Sequence, residues 1–214
     1  MVTSVPYELA MASVLGFGTT SSSLLGAAIG LYVPLSKRPL ACLLAFAAGA
    51  LISALAIELA YEGALSLHQQ GFDARSAWVF ISTGFAAGAV IYYSASLALE
   101  KTLMLGMFLG GIPEAAASAS MLTKAGYRPA AIFGLWSTVL IAGVVAAAAG
   151  KAFIGSSDAL LAIFAQAVAG GAVLALVAHA MIPVALEEGG SLVVLPTVGG
   201  FLFALYLALA ESFV

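Results

Sequence analysis

Apolar residues run along this chain in long unbroken stretches, parted by short polar connectors. A membrane-crossing helix needs about 20 predominantly apolar residues. Seven stretches reach that length: 7–33, 39–63, 77–99, 102–124, 129–152, 158–187 and 190–212. The connectors between them are SKRP, SLHQQGFDARS, EK, KAGYRP, GSS and EEGG. Pro39, Pro129 and Pro196 fall at or near the starts, where a missing N–H costs a helix least. The runs are continuous and lack the roughly 10-residue alternating segments of a membrane β-barrel. The pattern predicts an all-α, polytopic membrane helix bundle of about seven transmembrane helices.

A weak internal repeat lies within that pattern. FAAGALISALAIE (46–58) resembles VAGGAVLALVAHA (168–180) at an offset of 122, with Ala47/Ala169, Gly49/Gly171, Ala50/Ala172 and Ala56/Ala178 identical. The third and last stretches share a Gly-Phe pair, Gly84-Phe85 and Gly200-Phe201. Similar halves are a habit of transporters, whose sites lie at the repeat interface near the bilayer midplane. Two Ala/Gly-rich helices also resemble each other by chance, and abundant small residues serve close helix packing in any case.

Composition sharpens the membrane reading. The chain has 214 residues, 63% hydrophobic and 8% charged, with a mean hydropathy of +1.14. A soluble domain carries roughly 25% charged residues. The formal net charge of -3 is small and dispersed, which argues against a nucleic-acid partner. Cys42 is the only cysteine, so no intrachain disulfide can form. The first apolar stretch exceeds the about 7–15 residues of a signal-peptide core and has no basic segment before it, so it reads as a retained span. Every hydrophilic gap is short, so residues 1–214 are expected to form one transmembrane domain in the cell (inner or plasma) membrane, in contact with lipid. With the N-terminus outside, Lys37, Arg38, Lys101 and Lys151 face the cytoplasm against Arg75, Lys124 and Arg128 outside.

Few ionisable residues fall inside the stretches, and each costs about 2.5–3.5 kcal/mol at mid-membrane on insertion scales. Glu58, Glu62, Glu114 and His179 are the four. Glu114 is the deepest, within GGIPEAAASAS. Pro113 cannot donate to the Leu109 carbonyl, and Gly110 and Gly111 loosen the same turn. The expected product is a kinked helix with carbonyl oxygens beside a carboxylate, a hard-ligand cation site. The plainer alternative is a kinked packing helix with a protonated or paired glutamate. Glu58 and Glu62, four apart, share a helix face. His179 precedes Pro183 by four residues, and Glu187 extends its polar track toward the surface. In the repeat His179 stands opposite Ile57, beside Glu58. Imidazole with carboxylates accepts Zn²⁺, Fe²⁺ or Mn²⁺. A proton pathway through the same side chains is the competing reading.

FAAGALISALAIELAYEG, GGIPEA, KAGYRPAAIFGLW and AGGAVLALVAHAMIPVALEEGG together resemble the ZIP family of metal-ion transporters, in order and over nearly the whole chain. The Pro-Glu motif is the most specific of these, and it is similar to the IPEG-like or LPEA-like motifs of the bacterial branch. The resemblance implies uptake of Zn²⁺ or a related divalent cation as the transported ion, with no tightly bound cofactor. It implies two three-helix repeats around central helices, here 1–100 and 127–214 flanking a Pro-Glu helix at 101–126. It carries the ligand role over to Glu114, with Glu58 and His179 matching polar positions of the family's second and seventh helices; with Glu62 and Glu187 from the polar pattern, these make the candidate metal residues.

The sequence departs from the family in one respect. The family has two Pro-Glu helices, its fourth and fifth; this chain has one, and the polar residues expected before it are Gly110 and Gly111. Half of a two-metal site is absent, and simple alternation makes the two repeats parallel rather than inverted. A second copy in a homodimer is one way to complete the site. Three readings follow: a divalent-metal transporter with a reduced site, a non-transporting relative acting as a metal-binding or structural subunit, and a proton-coupled carrier of another substrate. No nucleophile–base pair or Gly-rich phosphate loop suggests an enzyme.

Overall fold

The computed structural model describes residues 5–32, 36–99, 112–154 and 159–212, except for some side chains within them. Among these residues there is no strand. Long apolar runs satisfy their backbone groups internally by forming helices, and the chain is a helical bundle. In chain order the helices are α1 (Val5–Tyr32), α2 (Lys37–Ala54), the π-helical segment π1 (Leu55–Tyr61), α3 (Glu62–Gln69) and α4 (Ala74–Leu99). Then come α5 (Ile112–Lys124), α6 (Pro129–Ile154), α7 (Ala159–Leu176), π2 (Val177–Met181), α8 (Ile182–Gly189) and α9 (Val194–Ser212).

Five stretches of the described residues are long and apolar enough to cross a membrane: Ala10–Tyr32, Lys37–Gln69, Ala74–Ser94, Pro129–Gly150 and Ala159–Ala210. The last covers 52 residues and is interrupted at Gly190, whose φ of +64° glycine adopts at little cost. The stretch expected at 102–124 is described only from Ile112 onward, as α5. Outward-facing Val90, Ile91, Ile141, Val145, Leu195 and Leu202 are each more than half exposed. That much outward apolar surface is foreign to a monomer surrounded by water and natural to one surrounded by hydrocarbon. The second helix runs to Gln69, past the expected end at 63, because Leu67 is fully buried even though Ser66, His68 and Gln69 beside it are polar.

The chain divides into two compact units. The first contains α1, α5 and α6, with α1 packed along both of the others. Small residues allow this: Gly30 of α1 lies against the backbone of Ala116 in α5, and Gly16 against Ala147 in α6. Ala27, Ala115, Ala116 and Ala119 are buried, with Ile132 and Trp136 the bulky residues of the same interior. Ser23, Ser118 and Ser120 are buried among them.

The second unit contains α2–π1–α3–α4 and α7–π2–α8–α9. The two series match: α2 and α7 both have 18 residues, their starts are 122 positions apart, and π1 and π2 begin at that same separation. Packing crosses between them, α2 lying on α9 and α7 on α4. Gly49 meets the Thr197 carbonyl at the first crossing, and Gly171 meets the Phe85 carbonyl at the second. One buried cluster joins Ala41, Leu44, Ala45 and Ala48 to Val177, Met181, Ala185 and Val193. Another joins Leu67, Ala77 and Ile81 to Ile163 and Ala167.

Candidate functional site

Each series of the second unit widens from α to π geometry at the same point. Glu62 N–H donates to the Ile57 carbonyl and Ile182 N–H to the Val177 carbonyl, both spanning five residues instead of four. A π turn in an α-helix leaves part of the regular hydrogen-bond ladder unmade and occurs often at functional sites. In π2 the sequence supplies a reason, since Pro183 has no N–H to offer the His179 carbonyl. In π1 the corresponding residue is Tyr61, and the turn widens without a proline.

Glu58 lies in π1 and His179 in π2. Each stands five residues beyond the middle of its continuous helix, Lys37–Gln69 and Ala159–Gly189. At 1.5 Å per residue that is roughly 7 Å from the midpoint, inside a hydrocarbon core of about 30 Å. The side chains of both are exposed. His179 Nδ1 shares a 3.3 Å hydrogen bond with Tyr92 Oη of α4, and the two rings meet edge to face at 5.9 Å. Tyr92 thus fixes the imidazole from the neighbouring helix and leaves Nε2 as its outward nitrogen.

The remaining expected residues are dispersed. Glu62, exposed, opens α3 one turn beyond Glu58. Glu187 is exposed on α8. Its neighbour Glu188 holds Lys37 with both oxygens, at 2.8 and 3.0 Å, and so ties the end of α8 to the start of α2. Glu114 lies in α5 of the first unit; its side chain is outside the described ones, as are Gly110, Gly111 and the Leu109 carbonyl. Among the described residues no three His, Cys, Asp or Glu side chains converge on one point.

Tyr92 and Glu188 were not singled out from the sequence. Tyr92 had a legible signal: it is one of two adjacent tyrosines, Tyr92-Tyr93, deep in an apolar helix. Glu188 did not, because its role depends on Lys37, far away in the chain. The arrangement offers carboxylate, imidazole and loosened backbone carbonyls at matching places in two helices, which are groups able to replace the water around a cation or to pass a proton. No family model and no curated protein matches this sequence.

Proposed function

We propose that this chain is a membrane carrier of divalent metal ions, Zn²⁺ or Fe²⁺/Mn²⁺, resembling the ZIP family but with a reduced metal site, and that it works in the cell membrane. The observation carrying this reading is that Glu58 and His179 each lie in a widened turn, at matching places in two helices that run antiparallel, the start of α2 beside the end of α8 and α3 beside the start of α7. The metal is cargo. Within the second unit Glu58 and His179 are successive contacts along its path, with Glu62 and Glu187 nearer the helix ends; within the first unit Glu114 after Pro113 is the candidate ligand. Carboxylates and an imidazole bind such ions without the soft thiolates that would hold them too firmly to release.

Uptake of ⁶⁵Zn²⁺ and ⁵⁵Fe²⁺ into cells expressing the full chain tests this. Accumulation above empty cells, lost in Glu114→Ala and His179→Ala, is expected. Equal accumulation in all strains overturns it. A second reading, a metal-binding or structural subunit that carries nothing, is favoured by the single Pro-Glu helix and the dispersed described carboxylates. Calorimetric titration of purified protein with Zn²⁺ separates the two: binding without uptake marks the metal-binding subunit, and neither marks the structural one.

A further inference from the structure

Each half of the second unit has a groove, the first between π1–α3 and α4 and the second between α8 and α9 with Ala45 of α2 at its side. The groove of the first half, walled by π1, α3 and α4, encloses about 710 Å³, and that of the second half about 210 Å³. Three lining positions differ in size in the direction of the volumes. Ala60, Ala64 and Ala77 line the large groove, and their counterparts Ile182, Leu186 and Val193 fill the small one. The first two pairs are 122 positions apart and the third 116, the separation of Gly84 from Gly200. One half of an otherwise matched pair has thus been hollowed, to a size within the about 300–1,000 Å³ of ordinary ligand sites.

The large groove has a wet end and a dry end. It begins beside the α3–α4 turn, where Gln70, Gly71 and Asp73 are exposed, and extends along α4 from Ala74 to Phe85. These twelve residues of helix, eleven steps of about 1.5 Å, span roughly 16 Å, half of a hydrocarbon core of about 30 Å. Its depth is therefore that of one bilayer leaflet. Its walls are mostly apolar, with Tyr61, His68 and Ser82 the polar exceptions, and Trp78, 68% exposed, stands at its side. His68 lines the wet end, and exposed Arg75 follows Ala74 of its wall, one helical turn before Trp78. His68 Nδ1 donates to the Phe72 carbonyl at 3.0 Å, and Asp73 turns its carboxylate back onto Arg75 N–H at 3.3 Å. The guanidinium of Arg75 remains as the outward charge, with the planar donors that suit a phosphate.

We propose that this groove is a lipid site, seating one acyl chain of an anionic phospholipid whose phosphate meets Arg75. The inference rests on the chain's residence in a membrane and is independent of metal transport. The protein has two tryptophans, and Trp136, only 1% exposed, is shielded from lipid, so Trp78 reports on the groove. The full chain is placed in phosphatidylcholine vesicles with rising fractions of phosphatidylglycerol carrying brominated chains, and tryptophan emission is read. Trp78→Phe supplies the background to subtract.

Trp78 is expected to be quenched at about fivefold lower fractions of brominated phosphatidylglycerol than of brominated phosphatidylcholine, the ratio that about 1 kcal/mol per basic residue at a membrane surface produces. Arg75→Gln brings that ratio to one. Ala64→Leu, which copies the filled groove, removes the selective quenching; Ala60→Ile does the same from the next turn and serves where Ala64→Leu does not fold. Equal quenching by both lipids in the unmodified chain overturns the proposal, as does selective quenching that survives both groove-filling variants. Absence of quenching at every fraction overturns it too, because a protein surface such as a second copy then covers Trp78.

Discussion

Gly49 in α2 and Gly171 in α7, 122 residues apart, occupy equivalent places: each lies against a backbone carbonyl of the helix that crosses its own, Thr197 of α9 and Phe85 of α4. A Cβ at either position would meet backbone, which cannot rotate away. Gly49→Leu or Gly171→Leu is expected to cost at least the about 1–3 kcal/mol typical of overpacking. Thermal unfolding in detergent measures it. Gly134→Ala in α6 meets nothing within 4 Å and is expected to be neutral or to stabilise by roughly 0.5–1 kcal/mol.

Ser53 is fully buried two residues before the start of π1 at Leu55, and its Oγ finds no hydrogen-bond partner among the described residues. A buried hydroxyl left unpaired costs about 1–3 kcal/mol. Ser53→Ala removes the hydroxyl and little volume. The same unfolding measurement is expected to show a gain of about 1 kcal/mol; a loss of that size would mean that the hydroxyl has a partner.

Tyr92 touches His179 through its hydroxyl and its ring. Tyr92→Phe retains the ring contact and removes the hydroxyl. Metal uptake is expected to fall severalfold while the melting temperature stays within a degree or two. A variant as active as the parent would remove Tyr92 from the proposed metal path.

Asp73 precedes α4, accepts from the Ser76 hydroxyl and from the N–H groups of Arg75 and Ser76, and has its carboxyl pKa held below the ordinary 3.8. The Ser76 hydroxyl is the larger cause. The sign follows from the lowered value: the charged form is favoured in the folded helix, so its contribution is fully present above the ordinary carboxylate pKa and lost as pH falls through the lowered one. Amide exchange at Arg75 and Ser76 is expected to quicken in that acidic window, and Asp73→Asn to abolish the pH dependence.

Lys37 and Glu188 form an ion pair at the surface. Such pairs are worth about 0.2–1 kcal/mol and weaken with salt. A double-mutant cycle with Lys37→Ala and Glu188→Gln is expected to return a coupling in that range at low salt and none above 1 M, where the Debye length is about 3 Å.

The apolar runs made the helices legible because length and hydropathy alone decide them in lipid, and the Gly49/Gly171 identity pointed to two crossings of one kind. The widened turns were not legible. In π2 Pro183 hinted at a break, but π1 has Tyr61 in that place, and its geometry depends on α7 and α9 packing against it. Glu58 and His179 were visible as costly residues in oily helices; the Tyr92 contact was hidden because it joins positions 87 apart in the chain. The two grooves could be seen only once α4 and α9 were in place, since Ala60, Ala64 and Ala77 look like ordinary small residues until compared with Ile182, Leu186 and Val193.

The Lys37–Gln69 helix has 33 residues, roughly 50 Å, against a hydrocarbon core of about 30 Å. A helix that outreaches its bilayer tilts or thickens the lipid around it. Here no helix of the second unit stands alone, because the glycine contacts and the two buried clusters pack α2, α4, α7, α8 and α9 against one another. Hydrophobic mismatch in a thinner or thicker bilayer is therefore answered by these helices leaning together, so the second unit responds to membrane thickness as a single lever.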